Sequence, residues 1–367
     1  MSLIKVKSRG TDNVGGRRNI IINGAMQLAQ RGTSSTANGY GSVDRFQILA
    51  GGADEAPTHA QVDVASGTTP YGLGFRKALK LTNGNQTSGA GAADYMGIWQ
   101  HIEGQNISQS GWNTTDPNSK LTLSYWVKSS VAQTFYGRFR AFASSQYEYT
   151  YSFALSANTW TKVTTTVPGN SNFSSLVNTN AVGFYHVWQC FWGTDYTNNK
   201  TLGEWAVKDN ANKSPDMTST WYTTNDATFE ITGVQLEVGD AATDFSHRTF
   251  AEELSLCQRY FYKVEGASSD RVGIGGYVVG ASEARMDVVF PCAMRAAPTI
   301  SGTGTAQFDG HADSADFNCS AIIIDEVPTG IVSGLGIQIA TSGMTNGHSG
   351  GLRFRGSGGT LSFTAEL

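Results

Sequence analysis

Charged side chains are scarce in this chain: Asp, Glu, Lys and Arg make up 15% of 367 residues, and the formal net charge is -4. That balance gives no reason to expect a nucleic-acid partner, which is held largely by clustered cations. Long apolar runs are missing too. None approaches the roughly 20 residues that cross a bilayer, so no membrane insertion is expected. The cations between Met1 and Gly10 are followed by no apolar stretch, so the start does not read as a secretory signal. The four cysteines, Cys190, Cys257, Cys292 and Cys319, form no Cys-x-x-Cys pair and have no histidines at zinc-ligand spacing. They read as free thiols buried as small hydrophobes. Proline numbers only 8, and no heptad pattern is sustained over several turns.

Glycine is plentiful, with 43 residues, and hydrophobic residues make up 40% of the chain. Glycine, serine, threonine and asparagine crowd between short apolar runs, a pattern of many turns joining short strands. Residues 1 to 18 form an arm with Lys5, Lys7, Arg9, Arg17 and Arg18 among glycines. Such an arm either moves freely or serves to attach the chain to another subunit. Asn19-Ile-Ile-Ile-Asn-Gly then reads as a short strand ended by a turn.

Strand-like segments follow at Val43 to Leu49, Ala60 to Val64, Ala78 to Leu81, Met96 to Ile102 and Leu121 to Lys128. Five more lie at Phe135 to Phe142, Tyr147 to Leu155, Trp160 to Val167, Ala181 to Phe191 and Ala227 to Val238. Leu121, Leu123, Tyr125 and Val127 alternate with Thr122, Ser124 and Trp126, the period of a strand with one buried face. This spacing predicts a two-sheet sandwich of the jelly-roll kind over residues 19 to 248. Trp126, Trp160 and Trp188 lie in these runs and are expected to fill its core.

One clear helix follows. Thr249 and Glu252 form a capping box, and Phe250, Leu254, Cys257 and Phe261 share a face. That face packs on a sheet or serves as a self-association seam. The helix connects the domains over residues 249 to 264. A smaller C-terminal β-domain, a second sandwich, is expected over 265 to 367. Its strands are Arg271 to Val279, Arg285 to Phe290, Ala321 to Val327, Ile331 to Ala340, Leu352 to Arg355 and Leu361 to Ala365. The residue before Pro298 is steered to extended backbone, and the glycine cluster from Gly347 to Gly359 reads as turns. The fold class is therefore all-β.

Signs of chemistry are few. Glycoside hydrolysis needs two carboxylates facing across a bond. Asp54 and Glu55 are adjacent and would point apart, and Asp209 with Asp216 or Glu204 is an ordinary set of loop acids. No Gly-x-Ser-x-Gly elbow and no His-Glu-x-x-His run is present. The chain is expected not to be an enzyme and to need no cofactor. Jelly rolls can hold structural calcium in loops through oxygen ligands, but no loop here shows alternating carboxylates, and no specific metal site is predicted.

Aromatics are more suggestive, with 8 Trp and 14 Tyr. An aromatic ring can lie against the C–H face of a pyranose while amides and carboxylates bond its hydroxyls. The long connection from Gly193 to Thr220 holds or adjoins Trp192, Tyr196, Trp205 and Trp221. These four are the candidate carbohydrate contacts, with interface packing and simple loop anchoring as the alternatives.

Three stretches carry a resemblance. Asn19-Ile-Ile-Ile-Asn-Gly-Ala-Met26 with Gln30-Arg31-Gly32-Thr33 and Val43-Asp44-Arg45-Phe46 resembles the opening of many tailed-bacteriophage tail-fibre proteins. Ile231 to Gly239, running into Ala242-Thr243-Asp244-Phe245 and Arg248, is similar to the segment that closes their carbohydrate-binding-module-like jelly roll. Glu253-Leu-Ser-Leu-Cys-Gln-Arg-Tyr260, with Phe290 to Thr299, looks like their helix and C-terminal β-domain. The resemblance implies a virion protein made in the bacterial host cytoplasm, commonly a homotrimer. It would contact other virion proteins and bind host cell-surface carbohydrate. The jelly roll here begins near residue 19 with no shaft before it, which fits a tail-hub adhesin or a capsid decoration as well as a fibre. A polysaccharide-degrading tail spike is the third reading.

Overall fold

The structure is a computed structural model that describes residues 18–310, 315–326 and 332–367. It divides into two compact units between Phe250 and Ala251. The first unit begins with β1 (Ser34–Ser35), β2 (Phe46–Gly51), β3 (Thr58–Asp63), β4 (Lys77–Thr82), β5 (Tyr95–Glu103) and β6 (Lys120–Ser129). It continues with β7 (Gln133–Phe142), β8 (Gln146–Leu155), β9 (Thr161–Pro168), β10 (Val182–Trp192), β11 (Trp205–Val207) and β12 (Thr228–Val238). They form two six-stranded antiparallel sheets: β1-β3-β4-β12-β6-β9, here sheet A, and β11-β8-β7-β10-β5-β2, here sheet B. This is the jelly-roll sandwich that the alternating pattern predicts.

The alternation is resolved face by face. Leu121, Leu123, Tyr125 and Val127 of β6 all point into the space between the sheets and are buried there. Across from them, Phe135 and Phe139 of β7 and Trp188 of β10 are fully enclosed. The Tyr125 and Trp188 rings meet edge-on with centroids 5.5 Å apart.

A polar chain crosses this apolar core. The Tyr125 and Tyr151 hydroxyls lie 3.0 Å apart, and the Tyr151 hydroxyl lies 2.9 Å from His186 Nε2. Hydrogen bonding makes such burial tolerable. Burial, with Arg138 nearby, pushes the His186 pKa well below its ordinary value. Burial, with Arg45 and Arg140 nearby, takes His101 down to about 3.

An unfolded histidine takes up its proton near 6.5, whereas these two stay neutral in the fold. The unfolded state therefore binds more protons as the pH drops below 6.5, and stability falls with it; above 6.5 neither group contributes a slope. At pH 5 the loss amounts to about 2 kcal/mol for each such histidine. Urea unfolding at pH 7.5 and pH 5 measures it, and His101→Gln should remove one share of the drop.

The Asn19 segment forms no strand. Asn19 Nδ2 instead donates to Val234 O at 3.0 Å, and its Oδ1 accepts from the Ile21 and Leu236 amides at 3.0 and 3.1 Å. Arg248 Nη1 donates to Ile21 O at 2.9 Å, and Nη2 donates to Asn19 O. Asn23, in the left-handed region at φ 59°, donates to the carbonyls of Leu28 and Asp44. The Asp44 carboxylate accepts from Gln30 N and Nε2 at 3.1 and 2.7 Å.

The first two motif stretches therefore meet in one buried network that ties the start of the jelly roll to its closing strand. Asn19→Ala strands the Leu236 amide and Val234 carbonyl. It should cost about 2 kcal/mol by urea titration, within the range for orphaned buried polar groups. Of the arm residues, Lys5, Lys7, Arg9 and Arg17 lie outside the described residues. Arg18 rests on the jelly roll, donating from Nη1 to Thr243 Oγ1 at 3.0 Å.

The helix spans Phe250–Gln258, shorter than expected. Its last predicted residues leave it because Phe261 opens a strand. Cys257 is buried but Phe250 is exposed, so the expected apolar face is only partly realised.

The second unit holds β13 (Phe261–Gly266), β14 (Arg271–Gly280), β15 (Glu283–Met294), β16 (Thr299–Gly310), β17 (Ala315–Asn318), β18 (Ala321–Glu326), β19 (Val332–Ala340) and β20 (Ser349–Thr364). They make one eight-stranded antiparallel sheet, ordered β17-β16-β20-β14-β15-β19-β18, with β13 also on β20. Leu352, Phe354, Leu361 and Phe363 of β20 face its core together with Ile337 and Ile339 of β19.

The glycine cluster is not a run of turns. Gly350 and Gly351 pair with Gly276 and Gly275 inside the ladder, and only the bulge at Gly356 and Gly358 has positive φ within β20. The strand β16 escapes sequence reading because Ser, Thr and Gly dominate its first half. Cys190 and Cys257 are buried, while Cys292 and Cys319 are half-buried.

Candidate functional site

The outer face of sheet A carries a groove walled by aromatics. Because β6 alternates, Trp126 points opposite to Tyr125, away from the core, and sits between Thr232 of β12 and Lys162 of β9. It is half-buried, as is Trp160, so neither is the core residue expected from its strand position. Trp160 instead lies under the Lys128 ammonium at 5.1 Å.

The segment after β12 turns back across this face. It is pinned where Thr243 N and Oγ1 donate to the Glu237 carboxylate at 2.9 and 2.6 Å and Ser246 N donates to Gln235 Oε1 at 2.7 Å. The fold thereby sets Phe245 edge-on to Phe75 at 4.9 Å and His247 at 4.8 Å from Phe245. Gly233 allows the close packing: its φ is +62°, and a Cβ there would lie 2.6 Å from the Phe75 ring.

A cavity of about 400 Å³ opens between Leu73, Phe75, Trp126, Lys162, Asp244 and His247. Leu73 is 52% exposed, so the rim is open to solvent and apolar. His247 Nε2 lies 3.2 Å from Leu73 O, which joins the two rims. The lining offers ring faces, one ammonium, one carboxylate and the Ser124 and Thr243 hydroxyls. That mixture suits a ligand with an apolar face and a hydroxyl edge. Asp244 is the sole acid in the lining, which gives no facing pair for glycosidic acid–base work.

The four aromatics singled out from the sequence do not form one platform. Trp221 has 0% exposure; it is a core residue, with Nε1 donating to Thr228 O at 3.0 Å, and cannot stack on a sugar. Trp205 lies on β11, bonds Pro168 O through Nε1 at 2.7 Å, and wedges its ring against Phe173 and Tyr149. Trp192 is 3% exposed, enclosed between Trp99 and Tyr95.

Tyr196 stands edge-on to Tyr95 at 5.8 Å, so only Trp192 and Tyr196 come together, through Tyr95. Beside Trp192 is a smaller cavity of about 220 Å³ with Thr197, Asp216 and Met217. These side chains anchor the loop because the loop folds back over the outer face of sheet B and covers them.

The acids considered for catalysis hold loops in place. Asp54 accepts from Ser88 N and Oγ, which keeps its carboxyl below the usual range, and Glu55 accepts from Asn85 N. Asp216 accepts from Thr197 Oγ1 at 2.7 Å and Asp209 from Ala211 N at 2.9 Å. Among the described residues, no group of three His, Cys, Asp or Glu could hold a metal ion. The one signal for the sheet A groove in the sequence was the Trp126 alternation itself. Phe75, Phe245 and His247 could not be placed without the return of the closing segment.

The fold is that of an all-β protein, a two-sheet jelly roll followed by a smaller β-domain. No family model matches the chain, and no curated protein matches it. Several solved structures are similar over part of it. A putative sugar binding protein from Bacteroides thetaiotaomicron is 14% identical, with a TM-score of 0.34, over 60% of this chain and 100% of that one.

The enzymatically active domain of tailspike protein 4 from bacteriophage CBA120 is 11% identical, with a TM-score of 0.33, over 60% of this chain. The match spans only 21% of that tailspike chain. A family 11 carbohydrate-binding module from Clostridium thermocellum is 12% identical, with a TM-score of 0.27, over 57% of this chain and 96% of that one. Likeness at these identities and TM-scores says nothing about activity.

Proposed function

We propose that the protein is a virion structural protein of a tailed phage, of the tail-fibre or adhesin type, which binds host cell-surface glycan without cleaving it. The groove beside Trp126 carries this reading: aromatic walls, a hydroxyl-bonding rim and a single carboxylate in a cavity of about 400 Å³. The motif stretches that resemble tail-fibre proteins support the virion assignment. A homotrimer is part of the proposal.

A second reading is a capsid or tail decoration whose sheets contact neighbouring virion proteins. Tyr277, Val289 and Ile323, large apolar side chains left exposed on the second unit, favour it.

The test is an array of bacterial surface polysaccharides probed with the purified chain, with reducing ends assayed in parallel. Binding without release of reducing sugar is expected. Release of sugar would make the protein a depolymerising spike, and a folded chain that binds no glycan would leave the decoration reading. Mass measurement in solution should give three copies for a fibre.

A further inference from the structure

The two ends of the groove on sheet A differ in chemistry. Its lining takes Gly233 from β12, Ser124 and Trp126 from β6, and Lys162 from β9. These three strands lie side by side, and Trp126 stands in register between Thr232 of β12 and Lys162 of β9. Neighbouring strands are spaced by roughly 4.8 Å, so about 10 Å separates β12 from β9. That is longer than one pyranose ring, so the two ends meet different parts of a glycan.

The β9 end is polar. Lys162 is exposed there, and Ser124, two positions from Trp126 on the same face of β6, adds a hydroxyl to the lining. The β12 end is carbon. The Phe75 ring covers Gly233, Phe245 meets Phe75 edge-on with centroids 4.9 Å apart, and the His247 ring lies 5.2 Å from Phe75. His247 Nε2 is already engaged with Leu73 O at 3.2 Å.

Leu73 completes this wall at the rim, and 52% of it is open to solvent. A single exposed leucine on a surface is ordinary. This one continues an apolar wall that runs into a cavity of about 400 Å³, so a ligand in the groove can cover it. A sugar hydroxyl pressed against Leu73 and Phe245 would exchange water for carbon, which is costly. A methyl group in the same place gains by leaving water.

We infer that the β12 end of the groove takes a methyl-bearing sugar, a 6-deoxyhexose or an N-acetylhexosamine, with the methyl group against Leu73 and Phe245. The ring hydroxyls then lie toward Ser124 and Lys162. This selectivity rests on the reading of the groove as the glycan site, and it names what that site chooses. Trp126 supplies a stacking surface that any pyranose can use, while Leu73 sets the preference among them.

The test is saturation-transfer NMR of the full chain at pH 7 with three matched pairs of sugars: L-fucose with L-galactose, L-rhamnose with L-mannose, and N-acetylglucosamine with glucose. Members of the first two pairs differ only in the 6-hydroxyl, and those of the third only in the acetamido group. In at least one pair the methyl-bearing member should bind about tenfold tighter, the discrimination that a small apolar pocket supplies. Its methyl protons should receive the strongest saturation. Which pair shows the preference separates the deoxy sugar from the acetamido sugar. Leu73→Ser should remove the preference and leave both the parent sugar's affinity and the thermal midpoint unchanged, whereas Leu73→Met should keep it.

Equal affinity within all three pairs would overturn the inference, and so would a preference that survives Leu73→Ser. Parent sugars that still bind, and lose binding in Trp126→Ala, would then leave the glycan-binding function standing alone. A folded chain that binds none of the six sugars also overturns the selectivity, and the polysaccharide array then decides the function by itself.

Discussion

Trp126→Ala should abolish most glycan binding, with affinity falling at least tenfold, and should leave the sandwich folded. The side chain stands on the outer face of sheet A and lines the cavity, so its removal opens no void between the sheets. A stacked ring worth about 1.4 kcal/mol corresponds to the tenfold figure. Trp126→Phe keeps an aromatic face and should retain part of the affinity.

Adsorption of particles to host cells, set beside calorimetry of the isolated chain, measures both effects. Unchanged adsorption and unchanged affinity in Trp126→Ala would remove the groove as the glycan site. Trp221→Ala makes the contrast: its ring is enclosed in the core, so it should lose stability and not selectivity.

Glu148→Ala is expected to cost about 3–5 kcal/mol of stability, the range seen when one partner of a buried ion pair is removed. Arg138, nearly wholly enclosed, and Arg140 would both lose their carboxylate. The loop 193–220 should feel it first, since Lys213 and Gly203 are bonded to Thr150, two residues along β8. Faster amide exchange at Gly203 and in β11, ahead of the β6 and β12 amides, would show that order. Adding Arg138→Met to a Glu148→Met chain should recover much of the loss, because a well-packed apolar pair avoids the desolvation cost of stranded charge. No recovery in the double variant would mean that the guanidinium packing itself holds the face together.

Much of the jelly roll was legible residue by residue. All ten predicted strands of the first domain after Asn19 overlap observed ones, because a strand with one buried face writes its period directly into the order of side chains. The Asn19 stretch was the exception. Its three isoleucines imitate a strand, but Asn19 and Asn23 spend their amides on distant carbonyls and break any ladder. Strand β16 failed in the other direction: its pairing with β20 is set by the neighbour, since its own Ser, Thr and Gly residues carry little preference.

The candidate site was less legible, and the tryptophans show why. The alternation along β6 sets Trp126 opposite Tyr125 and Val127, yet its place in a strand reads as core, and the structure puts it on the outer face. The sequence by itself determined that the centre of the chain would be two sheets, because short alternating runs bury their apolar faces only against one another. Only the tertiary structure decided what lies over each outer face. The closing segment after β12 returns to wall a groove on sheet A, and the long loop returns to cover Trp192 on sheet B. Those returns depend on contacts between residues far apart in the chain, such as Thr150 with Lys213 and Asn19 with Leu236, and no local pattern encodes where a distant segment will land.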